Sequence, residues 1–338
     1  MEAISQLTVF LKTKLKQASL LWFHGFKEAC CLHRVIIYCL RSKQLAIRTG
    51  QCFLLNGFIF LGSIYLLQLV IIPVLEWILP DQCPRDSEKP CSFEGFLRFY
   101  GVFRHGLIGL FYVLWFYPLY VFSLILSSIW YNDIAKHGFL AIEKSKATGS
   151  EPSGEKVSSA APNKAYTDNS NSLERAMIGI AEQVYSVLLL TFFFLEVYVT
   201  GFIPYAGKVL NFLLLSWMYA YYCFEYKWNL TGLSLDKRLD FFESNWAFFL
   251  GFGNPCVLAI FLFSPLVSYG VMAILFPLFV LTATGSEADQ IIILPRRKWE
   301  GAGLGRLPIF CAADYFSLKI LSIFSVEHRQ QVQGNKTN

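Results

Sequence analysis

Residues 107–131 read LIGLFYVLWFYPLYVFSLILSSIWY, and this stretch decides the class of fold. It contains no charged residue. A helix of about 20 residues, at about 1.5 Å each, already crosses the roughly 30 Å hydrocarbon layer of a bilayer. A buried helix of a soluble protein is rarely so uniformly apolar. The stretch therefore predicts a membrane span.

The composition of the whole chain also indicates a membrane protein. Of its 338 residues, 55% are hydrophobic and only 16% are charged, whereas a soluble domain carries roughly 25% charge. Apolar residues occur in long runs instead of at helical or strand periods. The runs considered as spans are 53–79, 107–131, 177–203, 205–224, 246–263 and 266–282. We predict an all-α integral membrane fold with about six helices.

The last two runs are short for complete crossings, and Pro265 separates them. They can instead form a re-entrant hairpin, which enters and leaves the membrane at one face. Such a hairpin requires protein or water to cover its exposed backbone groups. The sequence leaves both alternatives open, so the helices are expected to be transmembrane or partly re-entrant.

Lys and Arg are distributed very unevenly among the segments outside the spans. Of the 29 basic residues, 24 lie before the first span, in the loops 132–176 and 225–245, or in the C-terminal tail. The other five are Arg85, Lys89, Arg98, Arg104 and Lys208. Because cytoplasmic loops carry such an excess, both termini are predicted to be cytoplasmic.

These boundaries define a cytoplasmic N-terminal segment 1–52, a multi-pass membrane domain 53–283 and a cytoplasmic C-terminal tail 284–338. Within the first segment, residues 19–40 are expected to form an interfacial helix. The membrane domain is interrupted at 144–172, where Ser, Gly, Pro and Asn predominate and predict a disordered cytoplasmic linker. In the tail, residues 307–324 are expected to form an amphipathic helix lying on the surface.

Acidic residues inside the apolar runs are the first candidates for functional sites, since a central Asp costs about 2.5–3.5 kcal/mol to insert. Glu182 and Glu196 lie nearly four helical turns apart, which places both carboxylates on one helix face. Together with Glu225, at the cytoplasmic end of the fourth run, they form a candidate intramembrane polar seam. The alternative is that each acid lies near a membrane boundary or bonds to a neighbouring helix.

Gly251, Gly253 and Pro255 form a candidate packing motif in the fifth run. Small residues let helix backbones approach each other in a membrane, so Leu at either glycine is expected to disrupt assembly. Ala is expected to be tolerated far better. The alternative is that the glycines allow the helix to break before Pro255.

Cys83 and Cys91 lie in the first predicted lumenal loop, where the compartment is oxidising. They are candidates for a disulfide, and the alternative is two free thiols. Cys30, Cys31 and Cys39 lie on the predicted interfacial helix, where they are candidate palmitoylation sites or ordinary buried thiols.

The sequence contains no pattern typical of catalysis or cofactor binding. Neither Gly-x-Ser-x-Gly nor His-Glu-x-x-His occurs, and the glycine-rich stretch 301–305 lacks the Gly-Lys-Ser/Thr of a phosphate loop. His24, Cys30, Cys31 and His33 lack the paired spacing of a zinc site. We therefore expect no catalytic, cofactor or metal site. A nucleic-acid partner is not expected either, because no basic stripe is interleaved with aromatic residues.

Several separated strings resemble, in order, those of one membrane-protein family. They are Gln51-Cys52, Asn56-Gly57, Ile72-Pro73-Val74-Leu75, Asp133-Ile134-Ala135, Tyr222-Cys223-Phe224-Glu225-Tyr226-Lys227-Trp228, Arg238-Leu239, Asn245-Trp246, Gly251-Phe252-Gly253 and Ile274-Leu275-Phe276-Pro277-Leu278-Phe279. These strings cover about residues 51–283, and they resemble the etoposide-induced protein 2.4 family of endoplasmic-reticulum membrane proteins.

The resemblance implies a non-enzymatic, multi-pass protein of the reticulum membrane that acts in autophagy. The same superfamily looks like it includes bacterial sulfate permeases, in which some helix pairs penetrate the membrane only partly and subunits form oligomers. Our first hypothesis is a scaffold in autophagosome biogenesis, whose partners are the lipid bilayer and membrane proteins or further copies of the chain. The alternative is an anion (sulfate-like) channel or permease. Intramembrane acids, without Arg or Lys at mid-membrane, argue against anion transport.

Overall fold

The chain is helical over nearly all of the residues that the structure describes. A computed structural model describes residues 1–78, 94–149, 169–263, 265–297, 299 and 304–334, and no strand occurs in these ranges. The α-helices are α1 Glu2–Ala29, α2 His33–Arg41, α3 Lys43–Phe53, α4 Gly62–Leu66, α5 Ile72–Ile78, α6 Glu94–Gly149, α7 Asn169–Thr200, α8 Gly207–Leu230, α9 Leu235–Ser244, α10 Trp246–Leu262, α11 Pro265–Gly285, α12 Ala288–Arg296 and α13 Cys311–Gly334. The prediction of an all-α class is confirmed for this part of the chain.

Two described helices are long and apolar enough to cross a membrane. One is Lys43–Ile78, in which π-helical turns join α3, α4 and α5, and the other is Val267–Gly285 within α11. A third crossing results if α9 and α10, which meet at 89°, form one broken or re-entrant span. Val184–Thr200 in α7 is apolar but shorter. These helices support a helical membrane protein, while the count of six spans stays a prediction.

The apolar run 107–131 lies inside α6, which is far longer than the run itself. With 56 residues, α6 extends over about 84 Å, well beyond the hydrocarbon layer of a bilayer. Its C-terminal end reaches Gly149, and α7 begins at Asn169. The linker predicted over 144–172 is therefore helical at both ends, which corrects its boundaries. Its central residues, 150–168, lie outside the described part of the chain.

The interfacial helix predicted over residues 19–40 is not one helix. Helix α1 ends at Ala29 and α2 begins at His33, so the chain breaks in the middle of the predicted segment. The second half of α1 is also packed instead of surface-lying, because Leu21 and Ala29 are completely buried. Leu21 and Ala29 therefore belong to the protein core, whereas other apolar residues of the segment stay exposed, among them Phe23, Ile36 and Leu40.

The chain divides into two compact units. Unit 1 comprises residues 1–31, 142–257 and 282–338, and unit 2 comprises residues 32–141 and 258–281. Each unit therefore combines segments that are distant in sequence.

Aromatic side chains form the core of unit 1. Phe242 and Phe249 stack with ring centroids 4.3 Å apart, and Tyr221 meets the edge of Phe310 at 5.1 Å. Such pairs contribute about 0.5–1.5 kcal/mol each beyond their buried area. The rings belong to α8, α9, α10 and the segment before α13, so they hold these four elements together.

Helix α13 packs along α7, contrary to the prediction of a surface-lying helix over 307–324. Phe310 is buried and contacts Phe193 with ring centroids 4.8 Å apart. Phe316 stacks on Phe192 at 5.7 Å. The prediction was wrong because amphipathicity identifies an apolar face but not the surface that covers it.

Unit 2 contains α3, the two π-helical segments, most of α6 and most of α11. Gly57 lies close to Ile274, since a Cβ atom at this position would lie 3.4 Å from Cδ1 of Ile274, at ordinary van der Waals contact. Phe276 follows Ile274 on the same helix and contacts Tyr131 of α6, with ring centroids 5.1 Å apart. The strings Asn56-Gly57 and Ile274 to Phe279 therefore meet within this unit.

Candidate functional site

One member of the polar seam forms a bond between α7 and α8. The Ser186 hydroxyl of α7 donates to Oε1 of Glu225 on α8 at 3.1 Å. Ser186 lies one helical turn after Glu182, so the two positions share a face of α7. The side chain of Glu182 itself lies outside the described part of the chain. Arg238 is within electrostatic range of Glu225 and provides it with a positive neighbour.

The seam extends from α7 to α13 through residues that the sequence did not identify. The Tyr185 hydroxyl donates to the carboxylate of Asp314 on α13. Because Tyr185 and Ser186 are adjacent, α7 binds α13 and α8 through consecutive side chains. Neither Tyr185 nor Asp314 is among the predicted site residues. Only the tertiary structure shows that they meet.

Glu196 does not join these contacts. It is half-buried, and its Oε2 atom is buried with no hydrogen-bond partner among the described residues. Along α7, Glu196 lies about 21 Å from the position of Glu182. The seam therefore does not bring the acids of α7 together as an acid/base pair. Its observed contacts instead join helices.

The packing motif lies where three helix backbones approach closely. A Cβ atom on Gly251 of α10 would lie 2.7 Å from the carbonyl carbon of Trp22 on α1. One on Gly253 would lie 2.9 Å from Cα of Ser216 on α8. A Cβ atom on Gly25 of α1 would likewise meet the backbone of Phe248 at 2.9 Å. We call Gly25, Gly251 and Gly253 the glycine contact.

The glycine contact corrects one expectation about substitutions. Because the obstructing atoms belong to backbones, even the single methyl group of Ala requires the helices to separate. Ala at Gly251 or Gly253 is therefore not the mild substitution that the sequence suggested. The helix also does not break before Pro255, since α10 continues to Leu262.

Asn254 adds hydrogen bonds between the same three helices. With its carboxamide oriented to satisfy its neighbours, its oxygen accepts from the indole N–H of Trp22 at 2.9 Å. Its nitrogen donates to the Ser216 hydroxyl at 2.9 Å. Buried polar groups in proteins are nearly always paired in this way. Asn254 therefore fixes the register of α1 and α8 on α10, beside the glycines.

Unit 2 contains a buried polar cluster that the sequence analysis did not select as a site. The completely buried Asn56 accepts hydrogen bonds from the hydroxyls of Ser123, at 2.6 Å, and Ser127, at 3.1 Å. Its nitrogen donates to the Ala273 carbonyl at 3.1 Å and to Sγ of Cys52 at 3.3 Å. We call these five residues the Asn56 cluster. An asparagine inside an apolar run was the only signal available in the sequence.

Another missed contact secures the segment before α13. The carboxylate of Glu243 on α9 is almost fully buried and accepts two bonds from Arg306, each 2.7 Å long. It also accepts from the backbone N–H of Phe310 at 3.0 Å. The hydrogen bond to Glu243 raises the pKa of Arg306, so the guanidinium keeps its charge. We call Glu243, Arg306 and Phe310 the C-terminal clamp.

Three of the five cysteines with a predicted role lie in the described part of the chain, namely Cys30, Cys31 and Cys39. Cys83 and Cys91 lie outside the described residues, so their disulfide stays a prediction. Cys31 is buried and its thiol donates to the Lys27 carbonyl at 3.1 Å, whereas Cys30 is exposed. Burial raises the pKa of Cys30 and of Cys39, which disfavours the reactive thiolate. Palmitoylation stays a prediction, with Cys30 as the most accessible thiol of the three.

Chemically, the described side chains are arranged for helix association. Among the described residues, no group of three or more His, Cys, Asp or Glu side chains is placed to hold a metal ion. The polar groups that do converge, in the Asn56 cluster and between Ser186 and Glu225, bond to other helices. Such bonds are one of the forces that associate helices in a membrane.

Comparison with known proteins identifies relatives over most of the chain. A family model described as Sulfate transporter CysZ/Etoposide-induced protein 2.4 matches residues 31–277. The chain is 63% identical over 318 residues to the Protein EI24 homolog of Arabidopsis thaliana, covering 94% of this chain and 98% of that protein.

More distant relatives also match. The chain is 26% identical over 310 residues to the Protein EI24 homolog of Dictyostelium discoideum, covering 90% of this chain and 84% of that protein. It is 27% identical over 169 residues to Ectopic P granules protein 4 of Caenorhabditis elegans, covering 49% of this chain and 46% of that protein. No solved structure matches the chain.

Proposed function

Because the chain belongs to the sulfate transporter CysZ/etoposide-induced protein 2.4 family, we propose that it is a non-enzymatic membrane protein of the endoplasmic reticulum that acts in autophagosome biogenesis. The observation that carries this proposal is its similarity, over nearly the full length of both chains, to a protein named as a member of the same family. The bonding of its buried polar groups between helices supports a scaffold. Membrane proteins or further copies of the chain are its proposed partners.

The proposed topology has six spans, some partly re-entrant, with both termini in the cytoplasm. The excess of Lys and Arg in the assigned cytoplasmic segments supports the orientation. The bend of 89° between α9 and α10 supports a re-entrant arrangement of the fifth span. This topology places α9, and with it Glu243, on the cytoplasmic side.

Anion transport is the second candidate, because the family description includes a sulfate transporter. An anion path needs positive charge or helix N-termini at mid-membrane. In the described structure, the inter-helix bonds reported above come from uncharged side chains in the Asn56 cluster and at Asn254 and Tyr185, and from the acid Glu225 at the end of the fourth run. This chemistry favours the scaffold over the permease.

Cells lacking the protein distinguish the two functions when autophagic flux and sulfate uptake are measured in the same cultures. The scaffold proposal predicts that flux falls, that sulfate uptake is unchanged, and that the wild-type chain restores flux. Loss of sulfate uptake together with normal flux would instead establish the permease. Complementation with Gly251→Leu, followed by measurement of protein level and flux, tests whether the assembled membrane domain is required.

Terminal tags and glycosylation test the topology. Protease added to intact microsomes should remove a tag at either end, because both termini are proposed to be cytoplasmic. The sequons at Asn229 and Asn335 should remain unmodified, since glycan transfer occurs in the lumen. A protected tag, or a glycosidase-sensitive mass shift that disappears in Asn229→Gln, would contradict the orientation.

A further inference from the structure

The first half of α1 is exposed along nearly all of its length. Residues 5–13, 15 and 16 are all exposed, and Lys14 is half-exposed. From Gln17 onward one face of the helix is buried, and this face includes Gln17, Leu21 and Gly25. We call residues 5–16 the N-terminal arm. It is the continuation of a helix whose other half is fixed at the glycine contact.

The N-terminal arm carries large apolar side chains along one face. Leu7, Leu11 and Leu15 follow each other at intervals of four residues and therefore share a face. Their exposed fractions are 56%, 57% and 69%. Phe10, beside this face, is 56% exposed. An isolated helix of this length is marginal in water, so a surface that covers these side chains would stabilise it.

The charge of the arm identifies the surface. Lys12, Lys14 and Lys16 are its only charged residues, and Lys14 lies over the ring of Phe10, 5.3 Å from the ring centroid. Lys12 and Lys16 lie to one side of the apolar face, whereas Lys14 lies on it, between Phe10 and Leu11. Lysines at such positions keep their apolar stems at the membrane surface and extend their ammonium groups to the headgroups. Three positive charges without an acidic residue complement an anionic surface.

We propose that the N-terminal arm lies in the plane of the membrane in which the chain is embedded and binds its anionic lipid headgroups. A second copy of the arm is a poor partner, because two such segments repel each other. Insertion across the bilayer is also disfavoured, since each lysine at its centre is costly. The proposal rests on the membrane setting of the chain and is independent of the proposed role in autophagy.

Hydrogen exchange measured by mass spectrometry on the full-length protein in nanodiscs tests the proposal. One preparation contains phosphatidylcholine alone, and the other contains phosphatidylcholine with about 30% phosphatidylserine. Amides 5–16 should exchange at least tenfold more slowly in the anionic discs, and salt at about 1 M should remove the difference. Each lysine near an anionic surface contributes a factor of about five, so losing all three weakens binding about a hundredfold.

Two variants and a control make the outcome decisive. Lys12→Gln, Lys14→Gln and Lys16→Gln together should abolish the lipid-dependent protection. Replacing Leu7, Leu11 and Leu15 by Ser should abolish it as well, because charge alone does not hold the helix on the surface. The control carries the same loss of charge at the exposed residues Lys136, Lys237 and Arg297, and it should behave like the wild type.

Three results would overturn the proposal. The first is equal protection in neutral and anionic discs. The second is protection that survives the lysine substitutions. The third is protection that appears only in discs containing two copies of the chain, which would assign the arm to self-association. Autophagic flux is not among these readouts, so a failure here leaves the proposed function to its own test.

Discussion

Replacing Asn56 by Ala tests whether one buried carboxamide holds unit 2 together. The substitution removes bonds from Asn56 to Ser123 and Ser127 on α6 and to Ala273 on α11. Bonds between membrane helices contribute about 0.6 kcal/mol each on average, and at most about 1.7. Three such bonds give about 2 kcal/mol, and the small cavity left by the side chain adds about 1 kcal/mol. We expect a destabilisation of about 2–3 kcal/mol.

Other substitutions in the Asn56 cluster should differ in how much they destabilise the protein, in an order that follows from the hydrogen bonds they remove. Ser123→Ala removes one bond and should cost about 0.6 kcal/mol. Asn56→Asp keeps an acceptor for the serines but places a carboxylate oxygen beside the Ala273 carbonyl, where the amide now donates. It should therefore destabilise more than Asn56→Ala, because burying a charge is costly and the oxygen that faces the Ala273 carbonyl has no donor there.

The assay is unfolding of the purified protein by sodium dodecyl sulfate in detergent micelles, monitored by circular dichroism. Asn132→Ala is the matched control, since Asn132 is an exposed asparagine on α6 of the same unit. An Asn56→Ala midpoint indistinguishable from that of Asn132→Ala would refute the cluster as a source of stability. So would an Asn56→Asp protein that is as stable as the wild type.

Three further substitutions test the contacts of unit 1. Gly251→Ala should destabilise by about 1–3 kcal/mol in a thermal unfolding assay. Gly50→Ala is the control and should be neutral or stabilising, because a Cβ atom at Gly50 would have no neighbour within 4 Å. Glu225→Gln should keep the bond from α7 and normal expression, and Glu225→Leu should lower the yield of folded protein; equal yields would exclude a structural role. Glu243→Ala should cost about 2–3 kcal/mol. Adding Arg306→Ala should cost little more, because the arginine then keeps only its exposed contact with Asp240, and strictly additive losses would contradict the clamp.

The fold class was readable from the sequence because apolar length alone defines a membrane helix. The apolar runs fell on helices wherever the structure describes them, and α10 matches the fifth run almost to the residue. Boundaries in polar sequence were less readable, as α6 shows by continuing to Gly149. A helix can extend into water when nothing in its sequence stops it. The end of an apolar run therefore predicts where the membrane ends, but not where the helix ends.

Partners of individual side chains were not readable, and α13 illustrates why. Its apolar face was recognised, yet Phe310 packs on Phe193 and Asp314 binds Tyr185, which are far away in sequence. A single sequence shows which face of a helix is apolar, but it does not show which surface packs against that face. The glycines differ, because small residues in an apolar helix already indicate close approach. There the sequence identified the residues, and only the severity of Ala was underestimated.

The distribution of polar and small residues explains how such an apolar chain selects one arrangement of helices. In a membrane, burying one more leucine between helices gains little over leaving it in lipid, so apolar residues cannot choose partners. The few polar and small residues within the apolar helices therefore determine which helices pack together. Unit 2 is specified by Asn56, and unit 1 by the glycine contact with Asn254. Because these few residues are committed to internal contacts and the N-terminal arm is assigned to lipid, partners of the proposed scaffold must bind other exposed surfaces.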